Sequence, residues 1–204
     1  LVIICGRTDI LIGTQMITKG LDFSGVTVVG ILNADTMLNY PDFRAYEQAF
    51  QMLSQVSGRA GRRDERGLVI LQTKSADLPV IQQVVAGDFQ TFAHDLLEER
   101  SMFRYPPFYH LVYVYLRHRN EQLVDSAAIE MASRLRQAFA DRVLGPDKPA
   151  VARVKTESIR KIVIKLEQGS NLPLARQCMA EARTQLLQDK RYAVMTVFFD
   201  VDPS

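Results

Sequence analysis

Two short stretches of this 204-residue chain concentrate groups able to handle phosphate. The first is GTQMITKGLDF at 13–23, directly after an apolar run. It sets a hydroxyl (Thr14), an amide (Gln15), a cation (Lys19), a glycine (Gly20) and a carboxylate (Asp22) in one loop. Backbone amides and a hydroxyl at the end of a buried strand can hold a phosphate of a nucleic-acid backbone. Gly20 lets the main chain approach a ligand closely, and Asp22 can accept from a ribose or position a water. The same residues also make an ordinary turn, so this loop alone decides nothing. The second stretch, QVSGRAGRR at 55–63, combines Gln55 with two glycines and with Arg59, Arg62 and Arg63. Glycine at this density ends a helix. A planar guanidinium suits phosphate oxygens, and one such group can act as an arginine finger on a transferring γ-phosphoryl group. Arginines alone would read as a solvated basic loop; the Q-x-x-G-R-x-G-R spacing makes the signal strong.

The surrounding pattern must position these loops. Residues 9–14 are a short apolar run that predicts a buried strand, and 26–32 and 68–73 are two further β-branched runs that predict strands. Between the last two, Phe43, Tyr46, Ala49, Phe50 and Leu53 recur at helical spacing, predicting a helix over 42–56. Strands alternating with a helix predict an α/β unit with a mostly parallel sheet. Helices over 77–86 and 89–102 follow. The prolines of YPPF (105–108) stop any helix and place a domain boundary there, dividing 1–104 from 105–204. Beyond it the pattern resets to a strand at 110–118, a helix at 121–142 broken by LGP (144–146), strands at 151–155 and 159–166, a helix at 172–189 and a closing strand. That order is the split β-α-β, ferredoxin-like α+β arrangement.

Composition bounds the rest. Hydrophobic residues make up 47% and charged residues 24%, as in ordinary folded domains, and the net charge of +2 leaves any nucleic-acid argument to local clusters. Cys5 and Cys178 form no CxxC pair and read as reduced thiols. His94, His110 and His118 show no metal spacing. No run approaches the roughly 18 apolar residues of a membrane span.

GTQMITKGLDF resembles motif V, and QVSGRAGR motif VI, of superfamily 2 helicases. The intervening LNADTMLNYPDFRAYEQAFQMLSQ is narrower. With GLVILQT, ERSMFRYPPF, VLGP and FDVDP, it resembles the PriA (primosomal protein N′) family of bacterial replication-restart DNA helicases. The resemblance implies a cytoplasmic motor of two RecA-like lobes with ATP and Mg2+ between them. Such a motor moves 3′ to 5′ on DNA, recognises abandoned forks and works with primosome and single-strand-binding proteins. It implies that Thr14, and less firmly Lys19, touch the DNA backbone, and that Gly20 and Asp22 couple to the nucleotide. Gln55, Arg59 and Arg62 would face its phosphates, with Arg62 as the finger. It likens the last domain to a ribosomal small-subunit protein and implicates it in DNA and partner binding.

No G-x-x-x-x-G-K-[ST] loop, DExH segment or zinc-binding cysteine set occurs in these residues. With its start lacking Met, this predicts the C-terminal fragment of a longer protein, inactive alone, whose Zn2+ ligands lie elsewhere. A DNA- or partner-binding module and another superfamily 2 motor are the alternatives. Arg153, Lys155, Arg160, Lys161 and Lys165 predict a basic sheet surface, either solvated or tracking phosphates; Arg160 and Lys161 are its candidate DNA contacts. Ile162, Ile164 and Leu166 are expected on the opposite face. Tyr105 and Phe108 read as a packed linker rather than a base-stacking site, and Tyr109, Tyr113 and Tyr115 as core or sheet-face packing.

Overall fold

The computed structural model describes residues 12–13, 28–57 and 68–203. The chain divides into two compact units, Leu1–His94 and Asp95–Ser204.

In the first unit, strand β1 (Val28–Ile31) is followed by a short helix α1 (Asp35–Leu38) and by helix α2 (Ala45–Ser57). Strand β2 (Leu68–Leu71) then pairs with β1 in parallel, Val28 opposite Leu68 and Ile31 opposite Leu71. Helix α3 (Pro79–Ala86) and helix α4 (Phe89–Met102) complete it, the latter running on into the second unit. Ala45, Ala49, Phe50, Leu53 and Val56 form the buried stripe of α2, the three-to-four spacing that the sequence announces. Phe50 stacks on Phe92 with ring centroids 4.1 Å apart and contacts Phe89 at 6.0 Å. Gly87 ends α3 in the left-handed region at φ 68°, with its amide and that of Asp88 donating to Val84 and Gln83 carbonyls. The Asp88 carboxylate then caps α4, accepting from Thr91 N at 3.0 Å and Thr91 Oγ1 at 2.6 Å.

An apolar run gives strand propensity, not the identity of what covers it: Val28, Leu68 and Ile70 are each more than half exposed. The strand expected at 9–14 lies outside the described residues apart from Ile12 and Gly13, which are in neither helix nor strand.

The second unit is an antiparallel sheet under two helices. Its elements are β3 (Tyr109–His118), α5 (Glu121–Phe139), a short 3-10 turn, β4 (Val143–Asp147), β5 (Arg153–Val154), β6 (Glu157–Glu167), α6 (Leu172–Gln188) and β7 (Thr196–Val201). The strand order β4-β6-β3-β7 carries the longest strands in the centre, with β5 also pairing to β6. With the two-residue β5 set aside, the chain order is β-α-β-β-α-β, the split β-α-β pattern. Asn120 and Asn171 cap the two helices, their side-chain oxygens accepting from the Leu123 and Leu174 amides, each at 3.1 Å. Val124, Ala128, Met131 and Leu135 of α5 pack with Ala175, Met179, Ala182 and Leu186 of α6 onto Val112, Val114, Leu116, Ile162 and Ile164.

The LGP break is a strand. Val143 and Leu144 pair with Ile164 and Val163, and the register shifts before Asp147 meets Lys161. A Gly-Pro pair reads as a turn because Pro146 cannot donate to a ladder; an edge strand with a bulge tolerates it.

Candidate nucleic-acid interface

Of the residues expected to face nucleotide or DNA in the first unit, Thr14, Lys19, Gly20, Asp22, Arg59 and Arg62 lie outside the described residues. Gln55 is exposed near the C-terminal end of α2, opposite the buried stripe. The loops after β1 and β2 are tied together by Asp35. Its carboxylate accepts from Thr73 Oγ1 at 2.7 Å and from Lys74 N at 3.0 Å. The Thr73 hydroxyl, then the Lys74 amide, hold this carboxyl below its usual range. The sequence reading passed over Asp35, because its partner lies 38 residues away.

In the second unit, parity along the strands sorts the basic residues. Directly paired residues of an antiparallel sheet share a face. Arg160 pairs with Leu116 and therefore points with Ile162, Ile164 and Leu166 toward the helices, whereas Lys161 pairs with Tyr115 on the other face. The two do not form one basic surface. Arg160 is 4% exposed. Its Nε donates to Asp125 Oδ1, its Nη2 to Glu121 Oε1 at 2.8 Å and its Nη1 to the Ile159 carbonyl at 2.9 Å. Burial alone would favour the neutral guanidine; the Asp125 and Glu121 carboxylates outweigh it and raise the Arg160 pKa. In return Arg160, and then Lys148, hold the Glu121 carboxyl below its usual range. Arg160 is thus the clamp that joins the start of α5 to β6, a role that replaces the DNA contact expected of it.

Lys165 is likewise withdrawn. It is 8% exposed, its Nζ donates to the Phe103 carbonyl at 2.6 Å, and it lies 3.8 Å from the centroid of the Tyr105 ring. Desolvation, with Arg104 nearby, pulls its pKa down. It pins the 103–105 segment to the open face of the sheet, in keeping with the packing expected of Tyr105, whereas Phe108 of the same expected linker is 39% exposed.

Beside the aliphatic Leu111, Ile159 and Val163, that face carries a run of aromatic and cationic side chains. Lys161 Nζ sits 4.5 Å from the Tyr113 ring centroid. Tyr113 meets Tyr115 edge-on at 6.2 Å, Tyr115 stacks on Phe198 at 5.0 Å, and the Arg117 guanidinium lies 4.7 Å from the Phe198 centroid. All five side chains are partly exposed. Burial, ahead of the Asp200 charge, raises the Tyr115 phenol pKa, so it stays protonated as a donor. Phe198 and Arg117 were not singled out from the sequence. The available signal was YVYLR followed by the paired phenylalanines of the last strand, legible only once register places them side by side.

Comparison with known proteins assigns both units. Residues 4–64 match the helicase conserved C-terminal domain, and residues 101–204 match the primosomal protein N C-terminal domain. The class is therefore a helicase C-terminal region followed by a domain of the primosomal type. The chain belongs to the PriA family of replication restart proteins. It is 38% identical over 200 residues to replication restart protein PriA of Bacillus subtilis, covering 97% of this chain and 24% of that protein. It is 39% identical over 175 residues to PriA of Synechocystis, covering 80% and 21%, and 36% identical over 200 residues to PriA of Treponema pallidum, covering 97% and 30%. The chain thus spans between a fifth and a third of the length of these relatives.

Proposed function

We propose that this chain forms the rear part of the second, RecA-like motor lobe and the C-terminal domain of an ATP-dependent DNA helicase. The whole motor moves 3′ to 5′, recognises stalled replication forks in the bacterial cytoplasm and restarts replication through primosome and single-strand-binding partners. The observation that carries this reading is the presence, in chain order, of a helicase C-terminal region and a primosomal C-terminal domain, with PriA relatives aligned along 97% of the sequence.

ATP with Mg2+ supplies the phosphoryl chemistry when bound. The donors this chain brings are guanidinium and carboxamide groups, which fit phosphate oxygens. Arg62 serves as the finger, with Arg59 and Gln55 beside it; Gly20 and Asp22 couple to the nucleotide; Thr14 and Lys19 grip the DNA backbone. Any Zn2+ of the family is assigned to other residues of the whole protein, since Cys5 and Cys178 form no CxxC pair and the three histidines show no metal spacing. No described helix is long and apolar enough to cross a membrane.

An arginine finger contributes roughly a thousand- to hundred-thousandfold in rate, and only with a phosphate-binding lobe opposite it. The 204-residue chain alone should therefore release no phosphate from ATP with DNA present. In a full-length protein carrying this chain, Arg62→Ala should lower DNA-stimulated turnover by about that factor while fork binding persists. Turnover above background by the chain alone, or wild-type turnover in the Arg62 variant, would sink the assignment.

A further inference from the structure

The open face of the antiparallel sheet has a composition that sheet packing does not demand. Neither α5 nor α6 covers it, because both helices pack on the opposite side through Val112, Val114, Ile162 and Ile164. A solvated face of an antiparallel sheet ordinarily alternates polar residues outward. Here the two central strands and one edge instead present Tyr113, Tyr115 and Phe198 in a continuous ring-to-ring run, with Lys161 over one end and Arg117 over the other.

We propose that this face is a platform for an unpaired nucleic-acid strand, with bases stacking on Tyr113, Tyr115 and Phe198 and phosphates meeting Lys161 and Arg117. Three observations support it. Tyr113 meets Tyr115 edge-on along β3 at 6.2 Å and Tyr115 stacks on Phe198 across the ladder at 5.0 Å, so the three partly exposed rings form one connected aromatic surface. The Arg117 guanidinium is held over the Phe198 ring, 4.7 Å from its centroid, on a side chain that stays partly exposed. At the Arg117 end of the sheet, Arg119, Arg153 and Lys155 are exposed and extend the positive charge beyond the rings. The carboxylates of this face are Asp147 on β4, Asp200 on β7 and, at the two ends of β6, Glu157 beside the Arg153–Lys155 end and Glu167 at the other. Aromatic rings bind any base through its π-face, and a basic border tracks the backbone, which is the combination that holds single strands without sequence preference. A duplex keeps its bases stacked on one another and gains only the charge term.

The inference is independent of the motor: no nucleotide is needed, and its failure would leave the helicase assignment untouched. The test uses the whole chain with a labelled oligothymidylate of about 15 nucleotides and a duplex of the same length, read by anisotropy at fixed salt. The chain has seven tyrosines and no tryptophan, so stacking also registers directly as quenched tyrosine emission. The expected result is single strand bound at least about tenfold more tightly than duplex, with quenching, and a loss of roughly ten- to hundredfold in Tyr115→Ala. Tyr115→Phe, which keeps the ring, should bind as the parent does. If Tyr115→Ala does not fold, Tyr115→Leu carries the same test, because it covers the sheet without offering a π-face. Equal affinity for strand and duplex, absent quenching, or undiminished binding in a folded ring-less variant would overturn the proposal.

Discussion

Two regions of the antiparallel sheet, the helix-covered face and the Lys161–Arg117 part of the open face, use their cations in opposite ways. On the helix-covered face Arg160 is surrounded by Ile162, Leu116 and the α5 carboxylates, and its three kinds of donor nitrogen all find oxygen acceptors. On the open face Arg117 and Lys161 lie over aromatic rings, which hold a cation without neutralising it. One residue of shift along β6, from 160 to 161, separates a structural charge from an available one, because side-chain direction in a strand alternates with a period of two. Charge clusters in sequence are therefore a poor guide to charge clusters in space when the segment is a strand.

The contrast is broken most severely from the covered side. Ile164 is fully buried between the sheet and both helices. Ile164→Ala should cost about 2–5 kcal/mol, the lost transfer energy plus the cavity left behind. Urea denaturation of the chain, followed by circular dichroism, reads this directly. A cost below about 1 kcal/mol would mean that the core collapses around the gap and that this face is softer than its burial implies.

Arg160→Met comes next. It removes the charge-assisted bonds to Asp125 and Glu121 but leaves both carboxylates about half exposed, at 47% and 53%, so they resolvate instead of being stranded. The expected loss is about 1–3 kcal/mol rather than the larger cost of orphaning a fully buried partner. The same variant changes the acid limb of stability. The Glu121 carboxyl is held down by Arg160 and Lys148 in the folded state. Its contribution is thus present above the unfolded carboxylate pKa and is lost as pH falls through the lower folded value. Removing Arg160 takes away the larger of those partners, so the loss of stability on acidification should be shallower in Arg160→Met than in the parent. An identical slope would show that Lys148 alone sets the Glu121 titration.

How much of this was legible beforehand differs between elements for physical reasons. The helices at 45–57, 79–86, 89–102, 121–139 and 172–188 follow from apolar spacing and from local punctuation such as Asn120, Asn171 and Gly87, all within a few residues of the element they define. Strand order, the pairing of β4 through Pro146, and the tie from Asp35 to Thr73 depend on residues far apart in sequence, which periodicity does not encode. The resemblance of 13–23 and 55–63 to helicase motifs was legible because their glycines and arginines are close-spaced, and the helicase C-terminal match spans 4–64. The aromatic platform was not, since Phe198 meets Tyr115 only across a ladder between residues 83 positions apart in the chain. Arg160 was misassigned for the same reason: its partners lie 35 and 39 residues earlier, on α5.

The smallest effect isolates the open face. Lys161 is partly exposed and its head group rests over Tyr113, so Lys161→Ala gives up one cation–π contact of about 0.5–1 kcal/mol at most. Stability should barely move, in contrast to the neighbouring Arg160. Binding should move instead. If Lys161 meets one phosphate, the logarithmic salt slope for oligothymidylate should fall by about 1, with affinity weakened to a similar degree on any sequence. Salt titrations of the parent and Lys161→Ala chains measure this. A slope unchanged in Lys161→Ala would confine the phosphate contacts to Arg117 and the basic residues beyond it, moving the strand's path toward the Arg153–Lys155 end of the sheet.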